Sequence, residues 1–239
     1  HAAGAKRLAT GHYAQLTSSH RGAPFFLTRG LDPTKDQSYF LAAVRAAHWS
    51  SIVFPIGHLT KVRVRQLARR WRLPNAQRPD SQGLCFLGPI NFPSFVAQAV
   101  PLTPGPIRHI MGQSLGTHRG LPIYTIGQRH GHAAGSRQPM FVIAKQTETN
   151  TLVVSERRVD LERTSLSLHD LVEHPLSRLD QPLTIQVRYR QSSRPVAAAT
   201  RHGDQLHVRT STPVIGPTPG QLAVLYSGEV DWDAAALDS

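Results

Sequence analysis

The chain has 239 residues and carries 27 Lys and Arg residues against 15 Asp and Glu residues, a formal net charge of +12. With 40% hydrophobic and 18% charged residues, the composition is that of a globular protein and excludes an intrinsically disordered chain. No apolar run approaches the roughly 20 residues of a membrane-spanning helix, and a single cysteine excludes an internal disulfide framework.

Most of the positive charge is arginine, because lysine occurs only at Lys6, Lys35, Lys61 and Lys145. The planar guanidinium group binds phosphate and stacks on bases, so nucleic acid is the first partner to consider. The same basicity fits GC-rich codon usage or an organellar matrix protein, and composition leaves these alternatives open.

The first half of the chain predicts mixed α/β structure. Asp32 and Pro33 predict a turn before a helix that carries Tyr39, Phe40, Ala43, Val44 and Ala47. Thr60 is a predicted N-cap for a second helix that ends before Pro74. Its apolar face consists of Val64, Leu67, Ala68 and Trp71. The other faces of this helix carry Lys and Arg side chains and no Asp or Glu, which fits either a solvated or a phosphate-facing surface.

The second half predicts short strands. A polar loop over 73–90 leads to a short helix over 91–100 and a Pro/Gly-rich linker over 101–107. The alternation of 183-LTIQVRYR-190 predicts a half-buried strand. Hairpins are predicted for the pairs 140–145 with 151–156, 195–200 with 205–210, and 221–226 with 229–232. Strands at this spacing favour a small antiparallel barrel.

The cysteine loop, 80-DSQGLCF-86, is the first candidate for chemistry. Cys85 is either a small buried hydrophobic residue or a reacting thiol. The sequence has no zinc-ligand spacing and no G-x-S-x-G motif, so it indicates neither a metal site nor a serine hydrolase. A generic cysteine hydrolase remains an alternative.

Two polar stretches are candidates for ligand binding. Gly11 permits the close approach of a ligand, and the adjacent His12 can donate to a phosphate or a base. A predicted helix start gathers the polar side chains of Lys35, Asp36 and Gln37. Such a position either caps the helix or binds an anion.

Eight stretches of the chain match one known family in order, and they are 9-ATGHYA-14, 29-RGLDPTKDQSYFL-41, 54-FPIGHLTK-61, 80-DSQGLCF-86, 116-GTHRG-120, 124-YTIGQRHG-131, 188-RYRQ-191 and 218-TPGQLAVLYSGEV-230. On these stretches the chain resembles the tRNA-specific 2-thiouridylase family over almost its whole length. No single stretch is decisive, but the ordered set is highly specific.

The resemblance implies three parts. They are an α/β remnant of an adenylating PP-loop domain over 1–88, a small central domain over 89–160 and a C-terminal antiparallel β-barrel over 161–239. The family's ATP loop, S-G-G-V-D-S, and its earlier catalytic cysteine do not occur in this sequence. We expect both to lie upstream of His1, so the chain alone should not form an adenylate.

The implied activity is the ATP-dependent transfer of a persulfide sulfur to carbon 2 of the wobble uridine, position 34 of tRNA. ATP with Mg2+ activates the uridine carbonyl as an adenylate, and the persulfide sulfur on Cys85 attacks carbon 2 as AMP leaves. The earlier cysteine is implied to form a disulfide with Cys85 during turnover. The expected partners are tRNA and a sulfur carrier or cysteine desulfurase-derived persulfide donor, with a monomeric protein and no membrane.

The resemblance also assigns site residues. Gly11 matches an ATP-contacting position, and the tRNA-contacting positions are matched by His12, Lys35, Asp36, Gln37, Arg188, Tyr189 and Gln221. We add Arg190, because it alternates beside Arg188 on the predicted strand. The alternative function is a catalytically inactive RNA-binding protein derived from this family. The basicity favours the mitochondrial matrix, with a bacterial-type cytoplasm as the alternative.

Overall fold

The computed structural model describes residues 4–18, 24–79, 91–130, 139–173, 179, 181–228 and 230–237. The chain divides into two compact units. The first comprises 1–78, 164–213 and 219–239, and the second comprises 79–163 and 214–218. Within the described ranges, no helix has the length and apolar character needed to cross a membrane. The division into three domains stays a prediction.

The N-terminal part of the first unit combines short strands and helices. Its elements are β1 (Leu8–Ala9), β2 (Ala14–Thr17), β3 (Phe26–Arg29), α1 (Ser38–Leu41), a 3-10 helix (Ala46–Ser51), β4 (Ile52–Val53) and α2 (Lys61–Arg70). Strands β1 and β4 pair in parallel, as expected for part of an α/β domain. Strands β2 and β3 form an antiparallel pair.

The predicted first helix is wrong in extent. Helix α1 ends at Leu41, and a separate 3-10 helix follows at Ala46–Ser51. Tyr39 and Trp49 are both buried in one cluster with Phe54. A continuous helix would separate Tyr39 and Trp49 by about 15 Å along its axis, so the chain turns between them.

The predicted second helix is confirmed, including its N-cap. The Thr60 hydroxyl accepts a hydrogen bond from the backbone N–H of Arg63 at 3.3 Å. The carboxylate of Asp32 accepts another from the N–H of Lys61 at 2.9 Å. No residue of α2 is buried, and Trp71, just beyond its end, is 65% exposed.

The second unit contains a five-stranded sheet. Its elements are α3 (Phe92–Ala99), β5 (Gly105–His109), β6 (Ser114–His118), β7 (Arg129–His130), β8 (Met140–Gln146), β9 (Thr151–Ser155) and 3-10 helices at Leu121–Ile123 and Arg158–Leu161. The strand order is β6-β5-β9-β8-β7. The predicted helix and the first predicted hairpin are confirmed. The predicted linker is wrong at its end, because Gly105 begins a strand that pairs with both β6 and β9.

The barrel of the first unit is built from the last six strands. They are β10 (Glu162–Glu173), β11 (Thr184–Gln186), β12 (Arg194–His202), β13 (Gln205–Ile215), β14 (Leu222–Ser227) and β15 (Val230–Leu237). Their order is β10-β13-β12-β11-β14-β15, and a β10–β15 pairing closes the sheet. The strands alternate in burial, since Leu206, Val208 and Thr210 of β13 are buried whereas His207, Arg209 and Ser211 are exposed. The predicted antiparallel barrel is confirmed.

The N-terminal segment and the barrel share one core. Strand β15 pairs with β3 at Val230 and Thr28, which extends the barrel sheet by the β2–β3 hairpin. The cluster contains Ala14, Leu27, Tyr39, Ala42, Trp49 and Phe54 from the N-terminal segment and Val224 and Tyr226 from β14. This shared core sets the positions of the site residues described next.

Candidate nucleic-acid interface

Tyr39 connects the N-terminal segment to two parts of the barrel. Its ring is buried, and its hydroxyl donates a hydrogen bond to the backbone oxygen of Leu222 at 2.5 Å. The ring centroid lies 6.4 Å from that of Tyr189. Burial raises the pKa of Tyr39 to about 12, although the charge of Arg188 opposes the shift. The hydroxyl therefore stays protonated, and able to donate, at neutral pH.

The Lys35–Gln37 stretch is held mainly by contacts inside the N-terminal segment. Gln37 pairs with Tyr13, whose N–H donates to Oε1 at 3.2 Å and whose backbone oxygen accepts from the Gln37 N–H at 2.9 Å. Asp36 Oδ1 accepts from the N–H groups of Gly30 at 2.9 Å and Ser38 at 3.1 Å. These two side chains order the loop, and Lys35 presents a partly exposed cation beside them.

Gly11 and His12 follow the parallel strand β1. Thr10 extends the pairing by donating its N–H to the Val53 oxygen at 3.0 Å. Gly11 is exposed, and an added Cβ would meet nothing within 4 Å. The His12 Nδ1 lies 2.8 Å from the Thr10 hydroxyl. Open space at the carboxyl end of a parallel strand fits the approach of a nucleotide.

The segment containing Arg188, Tyr189 and Arg190 is a turn rather than a strand, so the predicted alternation of the two arginines on one strand face is wrong. Strand β11 ends at Gln186, and the Gln191 N–H donates to the Arg188 oxygen at 3.1 Å, which closes a turn over 188–191. We call these four residues the barrel turn. The turn leads the chain back toward β12. Because its residues are not in a strand, the two-residue alternation of side chains along β11 does not predict where its side chains lie.

The side chains of the barrel turn contact helix α1. The Tyr189 ring centroid lies 4.5 Å from that of Phe40. Arg190 has a left-handed backbone, with φ at +63°, and its guanidinium carbon lies 5.1 Å from the Tyr189 ring centroid. Arg188 is half-buried, and desolvation lowers the pKa of its guanidinium while the nearby Tyr39 raises it.

Gln221 precedes the residue that accepts the Tyr39 hydrogen bond. Its backbone oxygen accepts from the Leu237 N–H at 2.9 Å. Its side-chain oxygen is buried and has no hydrogen-bond partner among the described residues. A buried amide oxygen without a partner is unfavourable, so it is a candidate acceptor for a ligand donor.

Arg29 is a contact residue that the sequence analysis missed. Its guanidinium carbon lies 3.8 Å from the Tyr226 ring centroid, and it donates to the Ser193 hydroxyl at 3.0 Å. It also lies 3.7 Å from the Asp36 carboxylate. Its position at the start of 29-RGLDPTKDQSYFL-41 was the only signal that could have identified it.

The predicted sites thus have different outcomes. The stretches around His12, Gln37, Tyr189 and Gln221 lie in one region of the first unit. Tyr13, next to His12, bonds to Gln37, and Tyr39 contacts Tyr189 and Leu222. Cys85 lies outside the described residues. Within the described ranges, no cluster of three or more His, Cys, Asp or Glu side chains could hold a metal ion.

Three family profiles match consecutive parts of the chain. Residues 1–89 match a tRNA methyl transferase HUP domain, 93–156 a tRNA methyl transferase PRC-barrel domain, and 166–230 an aminomethyltransferase beta-barrel domain. The chain is therefore a HUP-type α/β segment followed by a central PRC-barrel domain and a C-terminal β-barrel.

Similar curated proteins carry a more specific name. The tRNA-specific 2-thiouridylase MnmA 1 of Geobacillus kaustophilus is 38% identical over 241 residues, covering 97% of this chain and 64% of the relative. The MnmA of Acidovorax ebreus is 38% identical over 248 residues (95% and 65%), and that of Nitrosomonas eutropha is 39% identical over 238 residues (96% and 65%).

The chain is similar to tRNA-specific 2-thiouridylases over nearly its whole length. The profile descriptions name methyl transfer, whereas the relatives, each of which matches the chain nearly end to end, are named for thiolation. The chain spans 64% to 65% of the length of these relatives.

Proposed function

We propose that this chain acts in the ATP-dependent replacement of oxygen by sulfur at carbon 2 of the wobble uridine of tRNA. The observation that carries the proposal is the meeting of separate tRNA-family stretches around one side chain. Tyr39 contacts both Tyr189 and Leu222, which are far from it in sequence. Such a surface would hold tRNA by arginine–phosphate contacts and aromatic stacking.

In this proposal, Cys85 carries the persulfide sulfur. The outer sulfur of a persulfide is a good nucleophile, and the position of Cys85 fits the family stretch 80-DSQGLCF-86. That sulfur would bond to carbon 2 as the bond from carbon 2 to the oxygen of AMP breaks. The family's earlier cysteine, which does not occur in this sequence, would then attack the Cys85 sulfur, break the persulfide S–S bond, leave the outer sulfur on the uridine and form a disulfide with Cys85. When bound, ATP would activate the uridine carbonyl by adenylation. Extrusion of the uridine from its stack gives the sulfur access to carbon 2.

The chain's own residues would bind and orient these groups. Gly11 leaves room for the nucleotide at the end of β1. Lys35, Arg188 and Arg190 would supply positive charge to the tRNA phosphates, and the Gln221 side-chain oxygen would accept a hydrogen bond from a ribose 2′-hydroxyl or a base N–H of the tRNA. The sulfur donor would be a persulfide from a carrier protein or a cysteine desulfurase.

The test is a tRNA thiolation assay with the complete gene product, ATP and a persulfide donor. Digested tRNA is analysed for 2-thiouridine by mass spectrometry. We expect the parent to form 2-thiouridine and the Cys85→Ala variant to form none, while both bind tRNA equally. Thiolation by Cys85→Ala at the parent rate would disprove the role of Cys85.

A second candidate function is tRNA binding without catalysis. It is favoured by the net charge of +12 and by the concentration of aromatic and arginine side chains at the interface. Here we expect salt-sensitive tRNA binding with no 2-thiouridine from the parent protein. Detection of the thiolated nucleoside, and its loss in Cys85→Ala, would reject this candidate.

A further inference from the structure

Phe40 is an exposed aromatic ring that none of the predicted site assignments includes. It lies on α1 and is 55% exposed, whereas its neighbour Tyr39 is 4% exposed. One face of Phe40 rests on Tyr189, with centroids 4.5 Å apart and an interplanar angle of 44°. An isolated exposed ring is ordinary in a protein surface, so the groups around it decide whether it binds a ligand.

Those groups are aromatic and cationic. Arg190 lies beside the Tyr189 ring and is exposed to solvent. Its left-handed φ of +63° is unusual for a residue other than glycine, asparagine or aspartate. Strained backbone of this kind persists where the surroundings hold it and is often found at ligand sites.

The Asp36 carboxylate, four residues before Phe40, is engaged by other groups. Asp36 directs its oxygens to the Gly30 and Ser38 N–H groups and to the Ser38 hydroxyl, and it lies 3.7 Å from Arg29. A negatively charged ligand would therefore meet the exposed cation of Arg190 beside an accessible aromatic face.

We propose that Phe40, Tyr189 and Arg190 form a stacking site for an unpaired base of the RNA ligand. Each nucleotide base has a face that stacks on aromatic rings or guanidinium planes, and an adjacent arginine can bind the phosphate of the same nucleotide. Paired bases in a duplex do not offer that face, so the site selects single-stranded RNA. This inference rests on the proposed function, because it concerns binding of the same RNA.

The experiment compares two RNA ligands with the 239-residue chain. One is a short hairpin whose loop contains a fluorescent purine analogue, and the other is a fully paired duplex of similar length. We expect Phe40→Leu to weaken hairpin binding about tenfold and to abolish the fluorescence quenching that stacking produces. Duplex binding should change little.

Matched variants separate stacking from folding and charge. Phe40→Tyr keeps the ring and should retain hairpin affinity, and thermal unfolding of each variant shows whether the fold is intact. Arg190→Asn removes the cation but tolerates the left-handed backbone, and it should lower the salt dependence of hairpin binding by about one counterion.

The outcomes distinguish the two proposals. If the parent binds the hairpin and the folded Phe40→Leu variant binds and quenches equally well, the stacking site is wrong and RNA binding stands. Equal losses of hairpin and duplex binding in Phe40→Leu would also overturn it. If the parent binds neither RNA, both proposals fail.

Discussion

Tyr39 shows how one residue joins distant parts of the chain. Its hydroxyl satisfies the Leu222 backbone oxygen, and its ring belongs to a core shared with Trp49 and Tyr226. Tyr39 lies within the stretch 35-KDQSYFL-41, but the sequence analysis assigned ligand binding to the polar residues that precede it. Partners more than a hundred residues away cannot be identified from local spacing.

Tyr39→Phe tests this hydrogen bond. Removal of the hydroxyl leaves the Leu222 oxygen without that donor, so we expect the free energy of unfolding to fall by about 1–2 kcal/mol. Denaturant unfolding monitored by tryptophan fluorescence gives the value. Tyr189→Phe is the matched control, since no described hydrogen bond involves its hydroxyl, and it should change stability much less.

The same variant tests the titration of Tyr39. Its pKa is raised from 10.0 to about 12 by burial, so the folded protein holds this proton more tightly than the unfolded chain. The associated stability is complete below pH 10 and is lost as pH rises toward 12. Subtracting the Tyr39→Phe profile from the parent profile isolates this contribution. A difference that is constant across this range would contradict the assignment.

At the scale of elements, the start of α2 is stabilised by a residue outside the helix. Asp32 accepts from the Lys61 N–H at 2.9 Å and from both the N–H and hydroxyl of Thr34. The N-terminus of a helix favours a negative charge. The hydrogen bonds from Lys61 and Thr34 lower the pKa of Asp32, so the carboxylate holds the preceding turn and the helix together.

Asp32→Asn should weaken this connection, because an amide offers only one acceptor oxygen. We expect a loss of about 1 kcal/mol in the free energy of unfolding at neutral pH. Because the pKa of Asp32 is lowered from 3.8, the extra stability of the parent over the variant is present above pH 3.8 and is lost as pH falls through the folded-state pKa.

Acid titrations of unfolding measure this difference. Asp204→Asn, at an exposed turn between β12 and β13, is the control and should leave stability unchanged. If Asp32→Asn retains parental stability at neutral pH, the carboxylate does not contribute to the cap.

The barrel turn also belongs to the element scale. Alternation correctly predicts the burial of Leu183, Ile185 and Val187, but the strand ends at Gln186. Beyond that point, contacts with Tyr39 and Phe40 determine the positions of the turn's side chains. Periodicity therefore predicted the buried half of the segment and misplaced Arg190.

At the scale of the whole molecule, a net charge of +12 dominates long-range interactions. Binding to a polyanion releases counterions, so we expect tRNA affinity to fall at least about tenfold between about 50 and 200 mM salt. Filter binding over a salt series gives the slope. Replacing salt with a neutral osmolyte at equal osmolality should restore affinity, and a flat salt response would contradict an electrostatic interface.

The amino-acid sequence alone determined the features that depend on neighbouring residues. These include the N-cap at Thr60, the hairpin from Met140 to Ser155, the antiparallel barrel and the ordered stretches that resemble tRNA-specific 2-thiouridylases. Helix caps, turns and alternating burial each depend on a few consecutive residues, so they can be predicted from a single sequence.

Only the tertiary structure decided which stretches meet and which side chains face outward. It turns Asp36 into the loop, exposes Phe40, and places Arg190 in a turn beside Tyr189. These outcomes depend on packing between segments that are far apart in sequence. The free energy of that packing comes from many residues of one core, so it cannot be predicted from a local sequence pattern.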